Sequence, residues 1–440
     1  MKKVAFITLG CKVNQYETNA MTQQFLQKEY EIIEPTEKAD IYIINTCTVT
    51  NMSDRKSRQM LRRAKEKNKQ AIVVACGCYV QVAKEEVEKI EEIDLIIGNN
   101  EKKEIVDIIE KYIKEHKKNE KIEDVMTQKQ YVELGEITYT DKTRAVIKVQ
   151  DGCDRFCSYC IIPYARGRVR SRNPKIVIEE IEKIAKQGIQ EVVITGIHIA
   201  SYGKDFKENY RLIDLLEQIN KIDGIKRIRL GSIEPLLITE EFLTRLSKLE
   251  KICHQFHLSL QSGCNETLER MNRRYTIEQF KEIVQNLRKT YEDVILTTDI
   301  IVGFPQESDQ EFEKTYQFLK EIKFYKMHIF KYSPRHGTKA AQMKRQINSE
   351  TKDKRSQKLI KLSNKNQKEY HEKYIGKEVE VLFEEEKNGY YQGHTKNYIL
   401  SIIKSDENLE NKMLKAKCIK AENDHILLEM SKCNKNVTNA

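Results

Sequence analysis

Through the first ~115 residues, short apolar runs alternate with longer stretches whose apolar positions recur every three or four residues. The runs at 4–9, 41–45, 72–75 and 95–97 predict strands. The periodic stretches at 16–27, 54–67, 84–90 and 102–113 predict amphipathic helices. Strands and helices alternating in this way predict an α/β domain, residues 1–115, on a doubly wound parallel sheet. Residues 114–132 are charged and aperiodic, and a linker is expected over 116–138.

The alternation resumes on a larger scale over 139–369, with strands expected at 145–149, 192–195, 227–230, 256–260, 295–301 and 326–330. Helical patterns such as 176–186, 212–219 and 312–322 separate them. Six successive βα units predict a partial (β/α)6 barrel with its reactive groups at the carboxyl ends of the strands. A lysine-rich helix over roughly 351–372 leads out of it. The pattern then changes: 379–383, 390–393, 398–403, 413–419 and 426–430 are short strand-like runs between turns. They predict a small all-β, OB-like barrel over 370–436.

Composition narrows the function. The chain has 440 residues, 39% of them apolar, and a formal net charge of +10. No apolar run approaches the ~20 residues of a membrane helix. Met1-Lys2-Lys3, the apolar stretch after it and Cys11 imitate a secretion signal with a lipid-modified cysteine. That stretch is short and reads equally as a first buried strand, so a cytoplasmic protein without a membrane partner is expected. The basic balance fits either lysine-based solubility or a polyanionic partner. Eleven cysteines, an odd count, point to metal or cluster chemistry rather than to a disulfide framework.

Cys153, Cys157 and Cys160 stand in a C-x₃-C-x₂-C pattern just after the first barrel strand. Three thiolates are one short of closing an ordinary zinc or iron–sulfur site, and the iron left open has room for a substrate or cofactor. The competing reading is a zinc knuckle with a distant fourth ligand. A second trio repeats one position in the first domain: Cys11, Cys47 and Cys78 each follow a predicted strand. In a parallel sheet these strand ends share one edge, where ligands bind. Each cysteine taken singly also reads as small core filling. Cys76 competes with Cys78, but it ends the apolar run while Cys78 lies beyond Gly77, and Cys78 is the expected ligand. Cys253, Cys264, Cys418 and Cys433 have no partner at ligand spacing.

C-x₃-C-x₂-C at the first strand of a partial barrel, with Tyr159 before its last cysteine, resembles the radical S-adenosylmethionine (SAM) enzymes. The order of the three domains is similar to that of the methylthiotransferases within that group. So are Asn45-Thr46-Cys47, Gly77-Cys78, Gln261-Ser262-Gly263, Asp299 through Pro305, and Tyr332-Ser333-Pro334-Arg335. Gly393-His394-Thr395-Lys396-Asn397-Tyr398 looks like the RNA-binding TRAM barrel. The resemblance implies two [4Fe-4S] clusters, a radical SAM cluster on Cys153, Cys157 and Cys160 and an auxiliary one on Cys11, Cys47 and Cys78. It implies SAM as methyl donor and radical source, a tRNA substrate, and a flavodoxin- or ferredoxin-like electron donor.

Within the family, Cys11-Lys12-Val13-Asn14 looks most like the branch acting on threonylcarbamoyl-adenosine beside the anticodon, as does the run from Cys160 to Arg172. The isopentenyl-adenosine branch usually reads cysteine-glutamine-methionine-asparagine there. The branch modifying a ribosomal-protein aspartate reads cysteine-proline-lysine-asparagine. A non-catalytic, RNA-binding redox sensor is the alternative outside enzymology.

Other residues are candidates by position. Thr195 and Gly196, Ser232 and Glu234, and Gln261 follow barrel strands and are expected, with Tyr159, to contact SAM. Arg55, Lys56, Arg58, Arg62 and Arg63 crowd one predicted helix just after Cys47 and are expected to meet phosphates, although a solvated face explains them equally. Lys396 and Tyr398 interleave charge and aromaticity on the last barrel and are candidate RNA contacts or edge filling. No phosphate-binding loop pattern appears, which argues against a nucleotide-dependent ligase or kinase.

Overall fold

The computed structural model describes residues 2–116, 120–135 and 143–430. Its first sheet contains β1 (Lys3–Thr8), β2 (Glu31–Ile33), β3 (Ile41–Thr46), β4 (Ile72–Gly77), β5 (Leu95–Ile97) and β6 (Glu120–Lys121). Their order is β2-β1-β3-β4-β5-β6, and every pair is parallel. β3 explains the doubly wound form. Ile41 and Ile43 pack with Met21, Phe25 and Ile109 on one face, whereas Tyr42 and Ile44 pack with Leu61 and Ala64 on the other. Successive side chains point to opposite faces, so an uninterrupted apolar run requires helices on both. β2 and β6 are short edge strands that the apolar pattern does not predict.

In the first unit two helices begin earlier than expected, and both starts lie close to a cysteine. Cys11 is the extended N-cap of the helix Lys12–Gln27. Thr50 caps the helix Asn51–Lys67, its hydroxyl accepting from Ser53 N at 3.1 Å. Hydrophobic periodicity does not register such polar first turns.

The second unit contains β7 (Arg144–Asp151), β8 (Arg170–Ser171), β9 (Glu191–Gly196), β10 (Arg227–Leu230), β11 (Ser232–Ile233), β12 (Gln255–Leu258), β13 (Ile295–Val302) and β14 (Lys326–Lys331). β7, β9 and β10 are parallel neighbours, as are β11 through β14. Only Gly231 separates β10 from β11, and its N–H donates to Ile194 O at 2.8 Å. The six expected strands therefore follow one open, curved order, with the third shared between two halves. A continuous apolar cluster from Ala145 to Leu362 fills the space between strands and helices.

The helix Ser349–Glu372 leads to β15 (Glu378–Lys387), β16 (Tyr390–Thr395), β17 (Leu400–Lys404), β18 (Met413–Ala421) and β19 (Ile426–Met430). These close into a barrel in the order β15-β16-β17-β19-β18. Ile295 and Tyr325 of the central unit join its core beside Val381, Phe383 and Leu428. The described part of the expected linker is fixed at both ends. β6 extends the first sheet, Leu134 packs on Tyr16 and Ala20, and Val125 O accepts from Arg170. Cys433 lies outside the described residues. Among the described residues no helix is long and apolar enough to cross a membrane.

Candidate functional site

β1, β3 and β4 are neighbours, and the residues after their carboxyl ends carry Cys11, Cys47 and Cys78. Two glycines let these loops meet. Gly10 has φ +100°, and a Cβ there would lie 2.9 Å from Cys47 Sγ. Gly77 has φ +98°, and a Cβ there would lie 2.5 Å from Thr46 O. Both positions need a residue without a Cβ. Side-chain amides then tie the loops together: Asn14 Nδ2 donates to Leu9 O at 2.7 Å and Thr46 O at 3.0 Å, and Asn45 Nδ2 donates to Asn14 O at 3.0 Å.

The three thiols lie within electrostatic reach of one another. Burial pushes Cys47 up to about 11, and Cys78 and Cys11 add to that rise. The protein packed around Cys11 raises its thiol too, although one side is open, with Arg166 opposing and Cys78 adding. Cys11 stays open to solvent, while Cys47 and Cys78 are buried. Cys76 is excluded by its direction: it is fully buried in the apolar layer, with Sγ 3.6 Å from Ile44 O. Among the described residues no three His, Cys, Asp or Glu side chains are placed to hold one metal ion. Each thiolate of a four-iron cluster meets a different iron, so cluster ligands stand farther apart than the ligands of a single zinc.

Beneath this trio lies a buried ionic network that the sequence reading did not anticipate. Glu17 accepts from Lys102 at 2.5 Å, from Lys148 at 2.8 Å, and from both terminal nitrogens of Arg166. Arg166 Nε points at Cys78 Sγ from 3.2 Å, and Nη2 donates to Asn14 Oδ1 at 2.7 Å. Lys148 and Arg166 belong to the central unit, so the two units meet through charge. Three cations hold the Glu17 carboxyl well below its usual range against the upward push of burial. A second bridge reaches the Cys47 loop. Arg335 donates to Thr48 Oγ1 and Asn51 Oδ1 at 2.6 Å each and pairs with Asp54 at 2.6 Å. The only sequence signal for either arginine was its place in a family-like motif.

Cys153, Cys157 and Cys160 share the loop after β7, and all three are partly open. Gln150 fixes the start of this loop. Its amide donates to Asp151 O and Gly152 O, and its Oε1 accepts His198 N at 2.7 Å. Burial pushes Cys153 up to about 11 and Cys160 up to about 12, with Cys157 adding to both. Arg273 Nη1 lies 3.4 Å from Cys157 Sγ. Binding metal at either trio must therefore displace protons from reluctant thiols.

The expected SAM contacts divide. Glu234 is buried beside this loop, ion-paired to Arg155, with His198 Nε2 3.3 Å away. Thr195 and Gly196 end β9, and Ser232 is exposed at the start of β11. Gln261, at φ +70°, bridges to Ile300 and has a buried side chain. The Tyr159 ring packs into an apolar cluster with Met271, Phe304 and Tyr332. Cys253, Cys264 and Cys418 are buried free thiols.

The basic helix also divides. Arg58 lies 3.6 Å from Glu86 and Arg62 3.8 Å from Glu92, whereas Arg55, Lys56 and Arg63 are exposed, with no ion pair among the described residues. Lys396 and Tyr398 are engaged by the central unit: Lys396 Nζ donates to Glu250 O at 2.6 Å, and Tyr398 stacks on His394 with Arg229 over its ring at 4.5 Å. A cleft of about 800 Å³ where the three units meet is lined by Cys11, Lys12, Gln15, Arg144, Glu384 and Tyr398, among others.

A model of the Radical SAM superfamily matches residues 147–319, and one of Uncharacterized protein family UPF0004 matches residues 3–98. The chain is 41% identical to threonylcarbamoyladenosine tRNA methylthiotransferase MtaB of Bacillus subtilis, over 96% of this chain and 94% of that one. It is 42% identical to the protein of the same name from Aquifex aeolicus, over 87% and 93%. A tRNA-2-methylthio-N(6)-dimethylallyladenosine synthase of Aquifex aeolicus is 32% identical, over 96% and 97%. Among solved structures, the radical S-adenosylmethionine methyltransferase TsrM of Kitasatospora setae, with cobalamin and a [4Fe-4S] cluster bound, aligns with TM-score 0.56 at 16% identity. That alignment covers 76% of each chain and speaks for the fold alone.

Proposed function

Because the chain belongs to the radical SAM tRNA methylthiotransferases, transferases that hold two [4Fe-4S] clusters and bind SAM, we propose that it converts threonylcarbamoyl-adenosine beside the tRNA anticodon to the 2-methylthio derivative. The observation that carries the reading is the meeting of Cys11, Cys47 and Cys78 at one sheet edge, in a chain that also has the open Cys153, Cys157 and Cys160 loop. The first trio would hold the auxiliary cluster and the second the cluster that binds SAM. When bound, these groups supply the hydrogen-abstracting radical and the sulfur and methyl group that replace the hydrogen.

The chain's own residues bind and orient. Glu234, paired with Arg155 of the radical loop, and Ser232, Thr195 and Gly196 at neighbouring strand ends would receive SAM. Arg55, Lys56 and Arg63, on the helix that begins just after Cys47, would hold tRNA phosphates near the auxiliary site. The cleft beside Cys11 supports the choice of nucleoside. Threonylcarbamoyl carries a carboxylate, isopentenyl carries none, and Lys12 lines the cleft without an ion-pair partner among the described residues. Arg144 is already paired with Glu384 at 2.8 Å. Glu384 is also held by His394 at 2.6 Å, so on that side Lys12 is the cation left for a ligand carboxylate. A flavodoxin- or ferredoxin-like donor would supply the electron, in the cytoplasm.

Nucleoside analysis of tRNA from a deletion strain tests the substrate. The expected result is loss of methylthio-threonylcarbamoyl-adenosine with accumulation of its precursor. Loss of the methylthio-isopentenyl nucleoside instead would move the enzyme to the neighbouring branch. Purified K12Q should lose roughly fivefold in kcat/KM, as an exposed charge pair of about 1 kcal/mol predicts.

A further inference from the structure

The short helix Ile162–Arg166 starts two residues after Cys160 and ends on an arginine with no exposed surface. Its guanidinium does not face the radical loop. Nε lies 3.2 Å from Cys78 Sγ, both terminal nitrogens bind Glu17, and Nη2 donates to Asn14 Oδ1 at 2.7 Å. Asn14 in turn donates to Leu9 O, just before Cys11, and to Thr46 O, just before Cys47. One side chain of the central unit thus touches Cys78 directly and reaches the other two cysteine loops through a single amide.

The charge around it is unbalanced. Lys102, Lys148, Arg166 and Arg170 are buried cations, linked among the described residues by contacts within 4 Å to only two buried carboxylates, Glu17 and Asp151. Buried charge without a counter-charge is strongly unfavourable. The groups next to this excess that form anions are the thiols of the auxiliary trio. A cluster held by three thiolates would offset it, and Arg166 is the cation pointed at one of their sulfurs.

We infer that Arg166 is a positioning residue of the auxiliary site. It reaches across from the radical SAM unit to fix Cys78, and it donates an N–H···S bond that raises the reduction potential of the cluster there. Hydrogen bonds and positive charge at cluster sulfurs favour the reduced, more negative state. Because Arg166 lies six positions after Cys160, the same turn of chain that follows the radical ligands sets the auxiliary ones.

The inference rests on the two-cluster reading above, and its test separates the two. Full-length wild type, R166K and R166M are reconstituted anaerobically, Glu17 keeping Lys102 and Lys148 as partners in the last. Iron is counted, and each cluster is titrated by EPR-monitored potentiometry, the radical cluster being the signal that responds to SAM. Expected for R166M is about a tenfold smaller reduced-to-oxidised ratio of the SAM-insensitive signal at a set potential, a shift of about 59 mV for one electron. Selective loss of that cluster, with iron falling from about eight to about four, supports the inference equally. R166K, which keeps the charge without the fork, should fall between. Unchanged iron and potential in both variants would overturn the inference, as would loss or displacement of both clusters together. Wild type binding only about four irons would instead sink the two-cluster reading itself.

Discussion

Cys153, Cys157 and Cys160 lie on one loop, oriented by the buried Gln150 and by Arg155 and Arg273 from partly open positions. Cys11, Cys47 and Cys78 lie on three loops and meet only because β1, β3 and β4 are adjacent. Cys11 opens to solvent, but Cys47 and Cys78 are buried, and the buried ions beside them include side chains from a second unit. A site written into one loop keeps its ligands together whatever the rest of the chain does. A site assembled from strand ends depends on the sheet, on two glycines and on ions taken out of water.

Ligand removal tests whether the two sites divide the work. C157A should abolish release of 5′-deoxyadenosine from SAM, measured by chromatography. C47A should keep SAM cleavage while yielding no methylthio product. Equal loss of cleavage in both would erase the division. Next in size is the network. E17A strands Arg166, Lys102 and Lys148 without their carboxylate and should cost about 3–5 kcal/mol in urea unfolding of the apoprotein. E234A, beside the radical loop, leaves Arg155 and His198 partly exposed and should cost roughly half as much. Equal costs would show that burial does not distinguish the sites.

A smaller effect concerns tRNA. R55A, K56A and R63A should each lower the slope of log affinity against log salt by about one, whereas R58A and R62A, already paired with Glu86 and Glu92, should change it little. A region outside both sites gives the smallest effect. Burial holds His371 below its ordinary value of about 6.5, with Glu422 O 2.8 Å from Nδ1 and Tyr325 Oη 2.8 Å from Nε2. His425 and Lys326 add to the lowering and Asp424 opposes it. The unfolded chain takes up this proton first as pH falls. The stabilisation is therefore complete above pH ~6.5 and is lost as pH falls through the lowered folded value. H371Q should flatten that part of the stability profile.

What the sequence determined by itself was local or periodic. The spacing of Cys153, Cys157 and Cys160 places three thiolates on one loop in any fold. Alternation of strand and helix made the first sheet parallel, and parallel strands put Cys11, Cys47 and Cys78 on one edge before any contact was known. Gly77 between Cys76 and Cys78 marked which thiol leaves the core. Tertiary structure decided the partners of charged side chains. Arg166 and Arg335 stood in recognisable motifs without a role, and Lys396 and Tyr398, candidate RNA contacts by pattern, also join two units. The physical reason is one of range and direction. Apolar burial is cooperative along an element and leaves a period in the chain, whereas an ion pair joins residues far apart in sequence and leaves no pattern until the fold brings them together.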